Sequence, residues 1–156
     1  MNEKRRILLK NSFAAGATGI VIGTGLLTPK AALAAWPKAA FEAKDSKSAL
    51  QAEFGSSTLI PSNDIKLKAP DIAENGAVVP VTITSSIPDI DSISIVVQHN
   101  TWPIAATFKL GPTTDGYIST RIKMGKTSDV TAVVKAGGKL YSTTKNVKVT
   151  IGGCGG

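Results

Sequence analysis

The one cysteine in these 156 residues is Cys154, held in the run Gly152-Gly153-Cys154-Gly155-Gly156. A thiolate attacks sulfur and carbon electrophiles and keeps the product as a covalent adduct. Glycine lacks a Cβ and visits both halves of φ space, so the run predicts a flexible arm after Ile151. Three extended residues carry a Cα roughly 10 Å past the last ordered position. The bare backbone on either side would let Cys154 enter a channel too narrow for bulkier neighbours. No His or Arg adjoins it in sequence and no helix begins there, so the thiol is expected near the ordinary pKa of about 8.5 and mostly protonated at neutral pH. Such an arm carries a group; activation has to come from whatever it visits.

Other chemistry is thinly represented. His99 is the only histidine and has no second His or Cys near it, so metal-ligand spacing is absent and a structural or surface role is expected. No nucleophile-elbow pattern accompanies the many Ser and Asp residues, and no Gly-rich loop joins a strand to a helix. Asp89 and Asp91 read as turn residues. Aromatic residues make up 5% of the chain, too few for base-stacking platforms. The sequence therefore predicts no catalytic residue, no metal site and no bound cofactor.

Residues 1–34 read as a cleavable export signal. Lys4, Arg5, Arg6 and Lys10 form a charged region, Phe13 to Leu27 an apolar one, and Ala32-Leu33-Ala34 a small-residue cleavage site. Arg5-Arg6-Ile7-Leu8-Leu9-Lys10 resembles the twin-arginine pattern for proteins exported already folded, with Lys4 and Leu8 departing from its usual residues. Four glycines and three threonines between Gly16 and Thr28 make a poor membrane span, so no stable insertion is expected. Removing residues 1–34 takes five of 18 basic and one of 11 acidic side chains, lowering the formal charge from +7 to +3. That is too little for a nucleic-acid partner. What remains is uneven: residues 35–91 hold five basic and eight acidic side chains, and residues 92–156 hold eight and two. The C-terminal half attracts anions mildly.

The elements that must position Cys154 follow from the periodicity. Over residues 35–57, Ala40, Ala43, Leu50 and Phe54 fall at helical spacing and Gly55 is a stop signal, which predicts one short helix between Pro37 and Phe54. Its apolar stripe must rest on the protein's own sheet or on a partner. Over residues 58–151 the period becomes 2. Ile65/Leu67/Ala69, Val79/Val81/Ile83, Ile93/Ile95/Val97, Ile104/Ala106/Phe108, Ile118/Thr120/Ile122, Val130/Ala132/Val134 and Val147/Val149/Ile151 alternate with mostly polar neighbours. Turn residues separate them, among them Glu74-Asn75-Gly76 and Gly137-Gly138. About seven half-buried strands without a helical crossover predict an all-β, antiparallel, immunoglobulin-like sandwich, with the arm at residues 152–156. Pro80 places the second strand at a sheet edge or a bulge.

The terminal Gly152-Gly153-Cys154-Gly155-Gly156, the preceding Val147-Lys148-Val149-Thr150-Ile151, the segment Glu74-Asn75-Gly76-Ala77-Val78-Val79-Pro80-Val81 and the leader together resemble the SoxY family of the thiosulfate-oxidising Sox system. The resemblance implies a periplasmic, non-catalytic carrier that holds sulfur-oxidation intermediates on Cys154, with the four arm glycines as its swinging tether. It also implies partners: a SoxZ-like sandwich as heterodimer, a c-type cytochrome enzyme that loads the thiol, a thiohydrolase that releases sulfate, and a sulfur dehydrogenase as an optional further one. A different reading makes the chain an exported structural sandwich whose Cys154 forms an intermolecular disulfide. A single disulfide does not need four glycines around it.

Overall fold

The structure is a computed structural model and describes residues 37–150. Two helices come first, α1 (Lys38–Phe41) and α2 (Ser46–Phe54). Nine strands follow: β1 (Ile60–Pro61), β2 (Ile65–Lys68), β3 (Ile72–Ala73), β4 (Val79–Ser85), β5 (Ile90–Val97), β6 (Ile104–Lys109), β7 (Tyr117–Ile122), β8 (Ser128–Ala136) and β9 (Lys139–Val149). One sheet has the order β1-β9-β8-β5-β6, with β3 also on β9, and the other has the order β2-β4-β7.

The period-2 residues are the core of the sandwich. Val79, Val81, Ile83 and Ile122 from the smaller sheet meet Ile93, Ile95, Val97, Val130, Ala132, Val134 and Val147 from the larger one. Each of these side chains is buried, and full burial of a Val or Ile side chain contributes about 1.5–3 kcal/mol relative to exposure. All seven expected strands are present, and the fold is an immunoglobulin-like sandwich. The last begins earlier than the Val147 pattern suggested. Gly137 and Gly138, at φ +54° and +72°, turn β8 directly back into β9 from Lys139 onward.

The larger sheet is covered on its outer face as well. Ala40 of α1 and Ala49 and Leu50 of α2 pack on Val96, Ile104, Val133 and Leu140. The apolar stripe of the N-terminal segment therefore lies on the protein's own sheet. The single helix expected between Pro37 and Phe54 is two, because Asp45 starts a new one: its Oδ1 accepts the Ser48 amide at 2.9 Å. That bond holds the Asp45 carboxyl below the usual range. Gly55, at φ +74°, ends α2 as expected.

Two features depart from the sequence pattern. The first is that β4 is the middle strand of its sheet, whereas Pro80 suggested an edge or a bulge. The proline is accommodated because β2 ends where Lys68 faces Thr82, so Pro80 has Arg121 of β7 on one side and no β2 residue on the other. The second is the presence of β1 and β3. These two-residue strands run parallel to β9 and pair with Tyr141–Ser142 and with Lys148–Val149. Between them the chain crosses to the smaller sheet as β2. The outer edge of β9 is thereby covered in pieces, which blunts it as a template for foreign strands.

Candidate functional site

Cys154, Gly152, Gly153, Gly155 and Gly156 lie outside the described residues, as do Arg5 and Arg6. What the structure gives is the mount from which the cysteine segment departs. The last strand is gripped on both sides up to Thr150. On one side β3 supplies the partners: the Lys148 amide donates to the Asp71 carbonyl at 2.9 Å and the Thr150 amide to the Ala73 carbonyl at 3.1 Å. On the other side the β8 ladder stops at Ser128 opposite Val147, and a side chain takes over. The Thr127 Oγ1 accepts the Val149 amide at 3.0 Å. From Thr150 to Cys154 an extended chain spans at most about 13–14 Å.

Three loops close around this mount. In the loop between β3 and β4, the Gly76 carbonyl accepts the Met124 amide at 2.6 Å. A Cβ added at Gly76 would press on the Met124 carbonyl and come within 2.9 Å of Val149 Cγ1, so only glycine fits there without displacement. The loop between β5 and β6 is stapled to the loop between β7 and β8 by Asn100, whose Nδ2 donates to the Lys123 carbonyl at 2.7 Å and whose Oδ1 accepts the Gly125 amide at 3.0 Å. His99 adds to the same seam. Its amide donates to Ser128 Oγ at 3.0 Å, and its Nδ1 lies 3.2 Å from the Thr127 carbonyl. A carbonyl only accepts, so that contact assigns the proton to Nδ1. Lys145 of β9 ties down the near side, with Nζ 2.6 Å from the Ala69 carbonyl and 3.0 Å from Asp71 Oδ1.

The sequence signalled parts of this collar without its purpose. Glu74-Asn75-Gly76 was readable as a turn, and the Asn75 Oδ1 does accept the Ala77 amide at 2.9 Å. That this turn abuts Val149 depends on pairing β3 with β9, and no local pattern announces a two-residue strand. Asn100 and Thr127 carried no signal at all. Among the described residues no group of three or more His, Cys, Asp or Glu side chains is placed to hold a metal ion.

A profile of the family described as "Sulfur oxidation protein SoxY" matches residues 50–154, two thirds of the chain and a stretch that runs through Cys154. The chain belongs to the SoxY family. Its fold agrees with that of a SoxY whose structure is described as "the sulfur carrier protein SoxY from Chlorobium limicola f thiosulfatophilum". The two share 48% identity at a TM-score of 0.60, over 66% of this chain and 94% of that one. A superoxide reductase (neelaredoxin) from Ignicoccus hospitalis shares the sandwich at 15% identity and a TM-score of 0.51, over 56% of this chain and 81% of that one. At that identity the likeness concerns the fold alone. No curated protein matches the sequence. The collar holds the chain up to Thr150, the last described residue, four positions before Cys154.

Proposed function

We propose that this protein is a periplasmic sulfur carrier, exported by the twin-arginine route, that holds sulfur-oxidation intermediates covalently on Cys154. The observation that carries the reading is the family match, which continues through residue 154 and so includes the cysteine. The likeness to a structure titled a sulfur carrier protein supports it, and so does the firm mount two to four residues before the glycine run. A tether of glycines on a rigid base combines reach with a fixed origin.

In this reading the protein performs no bond-making of its own. An oxidising enzyme of c-type cytochrome character would join the outer sulfur of thiosulfate to the Cys154 sulfur, the S–H bond breaking with release of its proton and the two electrons leaving one at a time through that enzyme's haem to an external acceptor. The product is an S–S bond to a terminal sulfonate. A thiohydrolase then adds water across the sulfur–sulfonate bond, releasing sulfate and leaving a persulfide. A SoxZ-like sandwich accompanies the chain as heterodimer, and export of the folded pair suits the twin-arginine route.

The test is the variant pair Cys154→Ser and Gly153→Val/Gly155→Val in a reconstituted thiosulfate-dependent electron-transfer assay. Cys154→Ser is expected to abolish turnover while the fold persists, and the double valine variant to slow it with the thiol intact. Intact mass should show sulfur adducts on wild type and none on Cys154→Ser. Normal turnover by the serine variant would eliminate the carrier reading. Normal turnover by the valine variant, with a disulfide-linked dimer as the native form, would favour a structural cysteine.

A further inference from the structure

The collar has a surface as well as a mechanical role. Its segments, residues 71–78, 98–103, 123–127 and 148–150, are brought together by the hydrogen bonds through Gly76, Asn100, His99, Thr127 and Ala73. Within them Ile72, Val78 and Trp102 are 56%, 51% and 53% exposed. The lysine Lys44 stands over the Trp102 ring at 5.3 Å, which restrains the indole in that position. Lys123, Lys126 and Lys148 are exposed, and among the described residues none forms an ion pair with a carboxylate. With Asp71 engaged by Lys145, Glu74 is the one remaining acid in these segments.

Resting on the carrier reading, we infer that this collar is the surface on which the enzymes that load and unload Cys154 dock, and that their thiol-accepting mouths carry acidic rims. Two observations converge on it. The first is reach: at most about 13–14 Å of chain separates the last gripped amide, Thr150, from Cys154. An active site that receives the thiol below a protein surface lies within that depth, so the surface around its mouth must come against the collar. The second is composition. A few large exposed apolar side chains, one of them a restrained tryptophan, on the same laced loops as three exposed lysines without ion-pair partners among the described residues are the components of a protein-docking patch. Three lysines against one glutamate fix the sign of the partner. Charge of this kind acts mainly on the encounter rate and is screened over about 10 Å at 0.1 M salt.

The experiment measures the second-order rate of Cys154 loading by the thiosulfate-oxidising enzyme of the native host, using the full carrier complex and intact mass as readout. Wild type is compared with Lys123→Glu/Lys126→Glu/Lys148→Glu and with the corresponding triple arginine variant. Loading of wild type is expected to fall about tenfold or more from low to high salt, and the triple glutamate variant to be slower by a similar factor at low salt. The arginine variant should match wild type. Alkylation of Cys154 by neutral iodoacetamide should be the same in all three, since the thiol itself is untouched. A loading rate indifferent to salt or to charge reversal would overturn the docking surface while leaving the carrier reading standing. Parallel slowing of alkylation would also overturn it, by showing that the lysines act on the thiol. Failure of wild-type Cys154 to acquire any sulfur adduct would instead remove the carrier reading, and the inference with it.

Discussion

The two ends of the sandwich are built to opposite specifications. At the end where β9 stops, the loops are drawn together by backbone and side-chain hydrogen bonds and the exposed charge is basic. At the other end the turns before β5 and before β7 flank a cleft of about 420 Å³, lined by Asp89, Asp91 and Asp115 together with Ile87, Ile90 and Leu110, and are joined beside it where the Ser85 amide donates to the Gly116 carbonyl at 2.7 Å and the Leu110 amide to the Asp91 carbonyl at 3.0 Å. No basic side chain lines it. Both ends contain a glycine that admits no side chain. At the far end a Cβ on Gly116 would come within 2.7 Å of Ile90 Cδ1 and press on the Ser85 carbonyl. Close packing alone does not distinguish the ends. What distinguishes them is charge and, among the described residues, the hydrogen bonds that tie the loops of one end to Lys148, Val149 and Thr150 at the close of the final strand.

The largest expected effect comes from breaking that packing at both ends. Gly76→Val and Gly116→Val should each cost about 2–3 kcal/mol by overpacking, read as a lowered denaturation midpoint. Only Gly76→Val should also speed hydrogen exchange at the Val149 and Thr150 amides beyond what the lost global stability accounts for. Equal exchange in the two variants would mean that the collar has no separate hold on the strand.

A smaller effect isolates the staple. Asn100→Ala removes two hydrogen bonds between loops without touching the core, and a loss of about 1–2 kcal/mol is expected from unfolding in urea. Asn100→Asp should lose at least as much, because its carboxylate still accepts from Gly125 but sets a second acceptor against the Lys123 carbonyl. A variant as stable as wild type would show that the β5–β6 and β7–β8 loops are held together by other means.

The smallest effect lies away from both ends, at the start of α2. The Asp45 carboxyl is held low by its bond to the Ser48 amide, so its contribution is present above the ordinary aspartate range and is lost as pH falls through the lowered value. Asp45→Asn keeps an acceptor at the cap and should flatten this part of the acid-stability curve. A curve that still falls with the wild-type slope over the same pH interval would place the acid sensitivity elsewhere.

Much of this molecule was legible in advance because its strands are short and half-buried, so the pleat writes itself into the residue order as alternation. Val79, Val81 and Ile83 could be named as core residues from spacing alone, while the strands that face them across the sandwich are given by the topology. The strands covered on both faces depart from the half-buried reading: Val96-Val97 and Val133-Val134 are apolar at consecutive positions because Val96 and Val133 lie beneath α1 and α2. The helix break was harder to see because Asp45 is a cap only once its neighbours adopt helical geometry. The middle position of β4 was hidden for a similar reason, since the tolerance for Pro80 depends on where another strand ends.

The sandwich, the turn at Gly137-Gly138 and the singular Cys154 between glycines are readable in the residue order, since each follows from local stereochemistry or from residue type. How the chain before Cys154 is held emerges only on folding. Asp71, Ala73, Gly76, Asn100 and Thr127 are scattered over 57 positions and share no period, and their common purpose appears when β3 lies along β9 and three loops meet. Hydrogen bonds between distant backbone groups leave no mark on composition, because every residue carries the same amide and carbonyl. The reach of the cysteine is written in the chain, and its point of departure is set by contacts that the chain makes only when folded.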